Sequence, residues 1–166
     1  MTKASETAYD LVVFGATSFV GQILTRYLLE TYGVGQSVKW AIAGRSESKL
    51  NTLKGELGSK AKDLPVILAD ASDEAALKAM CEQARVIIST VGPYALYGEP
   101  LVQACVRSGT DYCDLTGEVQ WIRKMVERDE EDGTSARARI VQCCGFASMP
   151  PDMGGGVCVI RPRTSP

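Results

Sequence analysis

Two hydrophobic regimes alternate along the chain: short unbroken apolar runs, and longer stretches in which apolar residues return every three or four positions. The runs at 11–14, 38–43, 64–69, 85–91, 111–115 and 138–144 predict strands. Between them, residues 19–32 predict a helix with Val20, Ile23, Leu24, Tyr27 and Leu28 recurring at helical spacing, and residues 46–58 a surface helix. Residues 73–83 place Ala76, Leu77, Met80 and Cys81 on one helical face, and a further helix carries Leu101, Val102, Cys105 and Val106 and stops at Gly109. Residues 119–132 predict a fifth helix, whose acidic end at 127–133 is expected to be solvated and frayed. Strand and helix in regular alternation predict an α/β fold, a doubly wound parallel sheet of about six strands with helices on both faces and strand four beside strand one.

The organisation that follows is a polar N-terminal extension at 1–9, one domain at 10–152, and an irregular tail at 153–166. With 166 residues, 45% hydrophobic and 23% charged, the chain suits one globular domain. A net charge of −2 gives no reason to expect nucleic acid or an anionic membrane as a partner. The N-terminal residues lack the apolar core of a signal peptide and no apolar run has the length of a membrane span, so a cytoplasmic location is expected.

Six cysteines include no C-x-x-C pair, and all but Cys158 fall in predicted helices or strands, where they read as reduced core thiols; no metal site is expected. Histidine is absent. Chemistry that relies on an imidazole base or ligand is thereby excluded, and any proton donor is another group.

The first strand ends in Gly15-Ala16-Thr17-Ser18-Phe19-Val20-Gly21. Gly15 lets the backbone turn off the strand, Gly21 lets the helix pack closely, and the turn aims N–H groups at an anion, for which a dinucleotide pyrophosphate is the natural guest. Against a G-x-x-G-x-x-G pattern the middle glycine is Ser18, whose N–H and hydroxyl are expected to donate to a phosphate oxygen. The alternative is a strand-to-helix corner without a ligand.

At the end of the second strand stand Arg45, Ser46 and, one turn later, Lys49, with no acid among them. An acid there would accept from the ribose hydroxyls and repel a 2′-phosphate, whereas this set favours NADP(H) over NAD(H). Asp70, followed by Ala71, ends the third strand; it either accepts from the adenine amino group or, with Ser72, caps the next helix. Thr90-Val91-Gly92-Pro93 ends the fourth strand at the switch point and is expected against the cofactor, nearer its nicotinamide ribose. Tyr94 and Tyr97, in the loop expected at 94–100, are candidate substrate-side contacts. Asp114, Thr116 and Glu118 either hold the substrate side together or cap the helix that follows.

Several blocks then coincide: Val13-Phe14-Gly15-Ala16-Thr17-Ser18-Phe19-Val20-Gly21, Ala43-Gly44-Arg45-Ser46 with Lys49-Leu50, Val91-Gly92-Pro93-Tyr94 with Tyr97-Gly98-Glu99-Pro100, Asp111-Tyr112-Cys113-Asp114-Leu115-Thr116-Gly117-Glu118, and Gly145-Phe146-Ala147-Ser148-Met149-Pro150-Pro151-Asp152. From Asp10 to Gly154 the chain resembles the saccharopine dehydrogenase-like oxidoreductases, the group that includes trans-acting enoyl reductases. The resemblance implies a Rossmann-type NADP-binding domain, normally followed by a second domain that supplies most of the substrate site and often dimer contacts; this chain stops before it.

The expected function is therefore to hold NADP(H) for hydride transfer to or from an unsaturated or carbonyl-type substrate, a small molecule or a lipid-linked one. No catalytic residue is named. The absence of a Tyr-x-x-x-Lys element argues against a short-chain dehydrogenase. Two alternatives stay open: saccharopine dehydrogenase of lysine metabolism, and a catalytically silent nucleotide-binding or scaffold module.

Overall fold

A computed structural model describes residues 7–131 and 138–160. Six strands form one sheet: β1 (Tyr9–Phe14), β2 (Trp40–Gly44), β3 (Val66–Leu68), β4 (Ala84–Ser89), β5 (Asp111–Asp114) and β6 (Ile140–Val141). All neighbouring pairs are parallel, in the order β3-β2-β1-β4-β5-β6. The winding reverses between β1 and β4, where Val13 pairs with Ile88 and Phe14 with Ser89. The helices are α1 (Phe19–Tyr32), α2 (Glu47–Leu57), α3 (Glu74–Glu82), α4 (Tyr94–Ser108), α5 (Val119–Glu131) and α6 (Met149–Ile160).

Parallel strands covered on both faces read as continuous apolar runs, and β2 is buried along its whole length. On one face Val13, Trp40 and Ile42 pack against Leu28 and Leu29 of α1 and Leu50 and Leu53 of α2. On the other, Val12, Phe14, Ile87 and Tyr112 pack against Leu77 of α3, Leu101 and Cys105 of α4, and Trp121 and Met125 of α5. The first face thins out across the sheet. Along the row Ile42, Val13, Ile88, Cys113, Val141, the first two are fully buried, the next two half-buried, and Val141 is 52% exposed.

Several expectations need correction. The buried stripe of α1 is Gly21, Thr25, Leu28 and Leu29, while Val20, Ile23 and Tyr27 face outward with Phe19. Small residues suit the side that approaches the sheet most closely, and Thr25 satisfies its hydroxyl on Gly21 O at 2.7 Å. The loop expected at 94–100 is the beginning of α4, with Pro100 inside the helix. Cys143 and Cys144 lie beyond β6, which is only two residues long, and Cys144 is exposed; Cys81 and Cys105 are core thiols, their sulfurs 3.6 Å apart.

The irregular tail expected from 153 is helical as far as Ile160. Glycines at 154–156 lower helix propensity and hid it, but Pro150 and Pro151 sit in the first turn, where a missing N–H costs nothing. Residues 1–6 of the N-terminal extension, the last residues of the acidic run at 127–133, and 161–166 of the tail lie outside the described residues. Among the described residues no helix is long and apolar enough to cross a membrane, and no group of three or more metal-ligating side chains is present.

The β5–β6 edge is clamped by Asp111, which accepts from the Arg139 backbone N–H at 2.8 Å and from its Nε at 3.0 Å, and also meets Nη2. These bonds, the side-chain ones first, hold the Asp111 carboxyl below the ordinary aspartate value of 3.8. A depressed acid stabilises the fold above its unfolded pKa and loses that contribution as pH falls through the folded value. Asp111→Asn is therefore expected to lower the Tm at pH 7 by about 1–3 °C, with the difference from the parent shrinking through pH 3.8 and below in a pH series of thermal melts.

Candidate functional site

The turn between β1 and α1 begins with Gly15 at a φ of +86°. The N–H groups of Gly15 and Ala16 both donate to Ala43 O, at 2.9 and 3.2 Å, and the Ser18 N–H returns to Gly15 O at 2.8 Å. A side chain at Gly15 would place Cβ 2.7 Å from Val91 Cγ2 and 2.8 Å from Thr90 Oγ1. At Gly21 a Cβ would stand 2.2 Å from Gly15 O. The first turn of α1 thus lies directly on the turn that precedes it.

Ser18 is the N-cap of α1 and accepts from the Gly21 N–H at 2.9 Å. Its Oγ is also 3.0 Å from Thr90 Oγ1, which in turn lies 2.9 Å from Gly15 O and 3.1 Å from Phe14 O. Carbonyls only accept, so the Thr90 proton goes to the backbone and Ser18 supplies the proton of the bond between the hydroxyls. The Ser18 N–H and hydroxyl both have partners within the protein, Gly15 O and Thr90 Oγ1. Among the described residues nothing accepts from the N–H groups of Thr17, Phe19 or Val20. These are the donors that the turn leaves for an anion at the helix N-terminus.

Beside the turn, at the end of β2, Arg45 and Lys49 are exposed, and among the described residues no ion pair holds either. Ser46 caps α2, its Oγ 3.4 Å from the Lys49 N–H and 3.1 Å from Ser48 Oγ. Beyond β3, Asp70 accepts from Ser72 Oγ at 2.7 Å and from its N–H at 2.9 Å. These bonds, with a smaller contribution from the nearby Arg45 charge, hold the Asp70 carboxyl below the usual range. The cap of α3 is Asp73, which accepts from the N–H groups of Ala75 and Ala76, so neither Asp70 nor Ser72 caps it. Ala71 is half-buried between them.

At the end of β4, the Thr90 N–H donates to Phe14 O at 2.9 Å, and Val91 packs over Gly15. Gly92 and Pro93 are exposed and joined by a cis peptide. Tyr94 is buried: its hydroxyl donates to Ser89 O at 3.0 Å, its ring lies 5.6 Å from that of Trp121, and burial pushes its pKa up to about 12. Tyr97 is exposed. The structure therefore separates two neighbours that the sequence paired as substrate-side contacts.

Along the β5 edge, Asp114 accepts from the Tyr112 hydroxyl at 2.8 Å and from the N–H groups of Thr116 and Cys143, each at 3.1 Å. Burial pushes its pKa up against those bonds. The Glu118 carboxylate reaches across to α4, taking the Tyr94 N–H on Oε1 at 2.7 Å and the Ala95 N–H on Oε2 at 2.9 Å. It was expected to cap its own helix or hold substrate. Its partners lie more than twenty residues away, beyond local pattern.

Residues 11–137 match the model of the saccharopine dehydrogenase NADP binding domain. The chain belongs to this family. The NADP-binding domain is also 42% identical over 149 residues to the trans-acting enoyl reductase of Mycobacterium tuberculosis (strain H37Rv), covering 90% of this chain and 35% of that protein. Over 145 residues it is 42% identical to the trans-acting enoyl reductase of Mycobacterium leprae, covering 87% and 34%. The chain thus spans about a third of the length of these relatives. In fold it is similar to saccharopine dehydrogenase (L-Glu forming) from Saccharomyces cerevisiae, with a TM-score of 0.71 and 18% identity, covering 91% of this chain and 30% of that one.

The turn fits a dinucleotide because its donors are free and its glycine cradle would be filled by any Cβ. Gly21→Ala is expected to destabilise the domain by at least about 2 kcal/mol and to abolish NADPH binding, read by denaturant melts and fluorescence titration. Ser18→Ala removes a cap worth about 1 kcal/mol. Because its polar groups serve the turn, NADPH affinity in that variant is expected to change by less than about threefold.

Proposed function

We propose that the domain binds NADP(H) in preference to NAD(H) and presents it for hydride transfer to a substrate with a polarised double bond. The observation that carries this reading is the end of β2, where the exposed Arg45 and Lys49 stand beside Ser46 with no acid at the ribose position. A guanidinium there clamps a 2′-phosphate through two N–H groups, and Lys49 adds a point charge. The backbone N–H groups of Thr17, Phe19 and Val20 receive the pyrophosphate, Asp70 lies at the adenine side, and Val91, Gly92 and Pro93 border the nicotinamide ribose.

When bound, the cofactor supplies the hydride, and the protein supplies orientation and charge. The names of the mycobacterial relatives favour an enoyl substrate, in which a carbon–carbon double bond is conjugated to a carbonyl, over a saccharopine-type one. A lipid-linked acyl chain fits that chemistry. The proton that accompanies hydride comes from outside the buried phenols, since those of Tyr94 and Tyr112 are committed to Ser89 O and Asp114. Further surface for substrate, and contacts between two copies, fall to a second domain such as the longer relatives have room for. We place the protein in the cytoplasm.

Titration of the purified chain with NADPH and with NADH is expected to show at least about tenfold preference for NADPH. Arg45→Asp should remove that preference without lowering the Tm by more than about 2 °C, since Arg45 is exposed. Equal affinity of the parent for the two nucleotides, or a preference that survives Arg45→Asp, would falsify this assignment.

A further inference from the structure

Two helices begin beside the switch point, and the protein treats their N-termini differently. At α1 the N–H groups of Thr17, Phe19 and Val20 stay free among the described residues, while at α4 the first two N–H groups are held by the two oxygens of one carboxylate, Glu118. The natural cap position of α4 is Pro93, which has no side-chain acceptor and makes no cap bond. Glu118 fills that role from another element, and the negative end of the pairing suits the dipole of a fifteen-residue helix.

Glu118 is itself tethered. Its N–H donates to Thr116 Oγ1 at 3.1 Å, the Thr116 N–H donates to Asp114 Oδ1, and Asp114 is buried at the end of β5. From Asp114 the connection therefore runs through Thr116 and Glu118 to the start of α4, and back along Pro93 and Gly92 to Thr90, which is bonded to Gly15 O and Ser18 Oγ. The loop at 91–93 is short, and both its ends are fixed by these bonds.

We propose that Glu118 is a positioning residue of the nucleotide site: by capping α4 from the β5 side it sets the Val91–Gly92–Pro93 loop for the nicotinamide half of the cofactor and excludes phosphate from the α4 N-terminus. The proposal rests on the NADP(H) reading above. A carboxylate on the Tyr94 and Ala95 N–H groups occupies the donors an anion would need and repels one that approaches. The pyrophosphate is thereby directed to α1 alone, where the donors are open.

The test compares NADPH with 2′,5′-ADP, which carries the 2′-phosphate and adenosine but no nicotinamide. In Glu118→Ala, NADPH affinity is expected to fall about tenfold while that of 2′,5′-ADP stays within about twofold. Glu118→Gln, which keeps one acceptor oxygen, should restore part of the loss. Sodium acetate, offered to the vacated donors of Glu118→Ala, should raise its Tm saturably where sodium chloride at equal ionic strength does not.

A cap that serves stability alone would weaken both nucleotides equally or neither; either result in a folded Glu118→Ala, or an equal loss of both in Glu118→Gln where the alanine variant does not fold, overturns the proposal. Should the parent bind neither NADPH nor 2′,5′-ADP, the NADP(H) reading itself fails. A parent that binds both with no ligand-specific change in the variants sinks only the role given to Glu118.

Discussion

The proposed nucleotide site depends on one close contact, that of the Gly21 backbone with the Gly15 carbonyl. Without a side chain at either position, the first turn of α1 rests on the turn that leaves β1, and the space beside it is small enough for Thr90 and Val91 to close from β4. The close approach brings Ser18 Oγ within reach of both the Gly21 N–H and the Thr90 hydroxyl, so three segments share one group of hydrogen bonds. The same arrangement decides which N–H groups remain. Those of Gly15, Ala16 and Ser18 are consumed by the turn, and those at the start of α1 are left for an anion.

Much of this was legible in the sequence because it is local. The apolar runs give way to helical spacing often enough that the number of strands, the pairing of the fourth with the first and the position of the switch point are readable from the sequence. Gly15, Gly21 and the acid-free end at Arg45 and Ser46 are separated by short, regular distances from their strands, so pattern alone located them. The position of Ser18 was legible, but its bonds to Gly15 O and Thr90 were not. Its partner Thr90 is 72 residues away, and no local rule reveals that a hydroxyl will be spent across the sheet.

The same limit explains the misreading of residues 94–100. Gly92-Pro93 followed by a glycine and a second proline reads as a loop, since glycine and proline both lower helix propensity. What begins the helix at Tyr94 is a carboxylate from the far side of β5. On α1 the recurring apolar residues divide: Leu28 is buried and Leu24 packs on the core, while Ile23 and Tyr27 point outward and the small Gly21 and Thr25 point in. Apolar periodicity alone cannot choose a side when both carry apolar residues, and here the close approach of the first turns selects the side with Gly21 and Thr25.

The exposed stripe belongs with a second feature of the fold. Across the row from Ile42 to Val141, burial is complete through β1 and declines from β4 outward, on the face that α1 and α2 cover at the other edge. A parallel sheet ordinarily has both faces covered, so apolar side chains at Ile88 and Val141 mark where the protein's own cover is thinnest. The opposite face carries α3, α4 and α5 across the same strands and is well packed. The groups proposed to contact a nucleotide stand at the carboxyl ends of β1, β2 and β4, and Val13 and Ile42 beneath them are fully buried. On that reading the cofactor rests on the buried part of the sheet, and the thinly covered outer strands lie to one side of it.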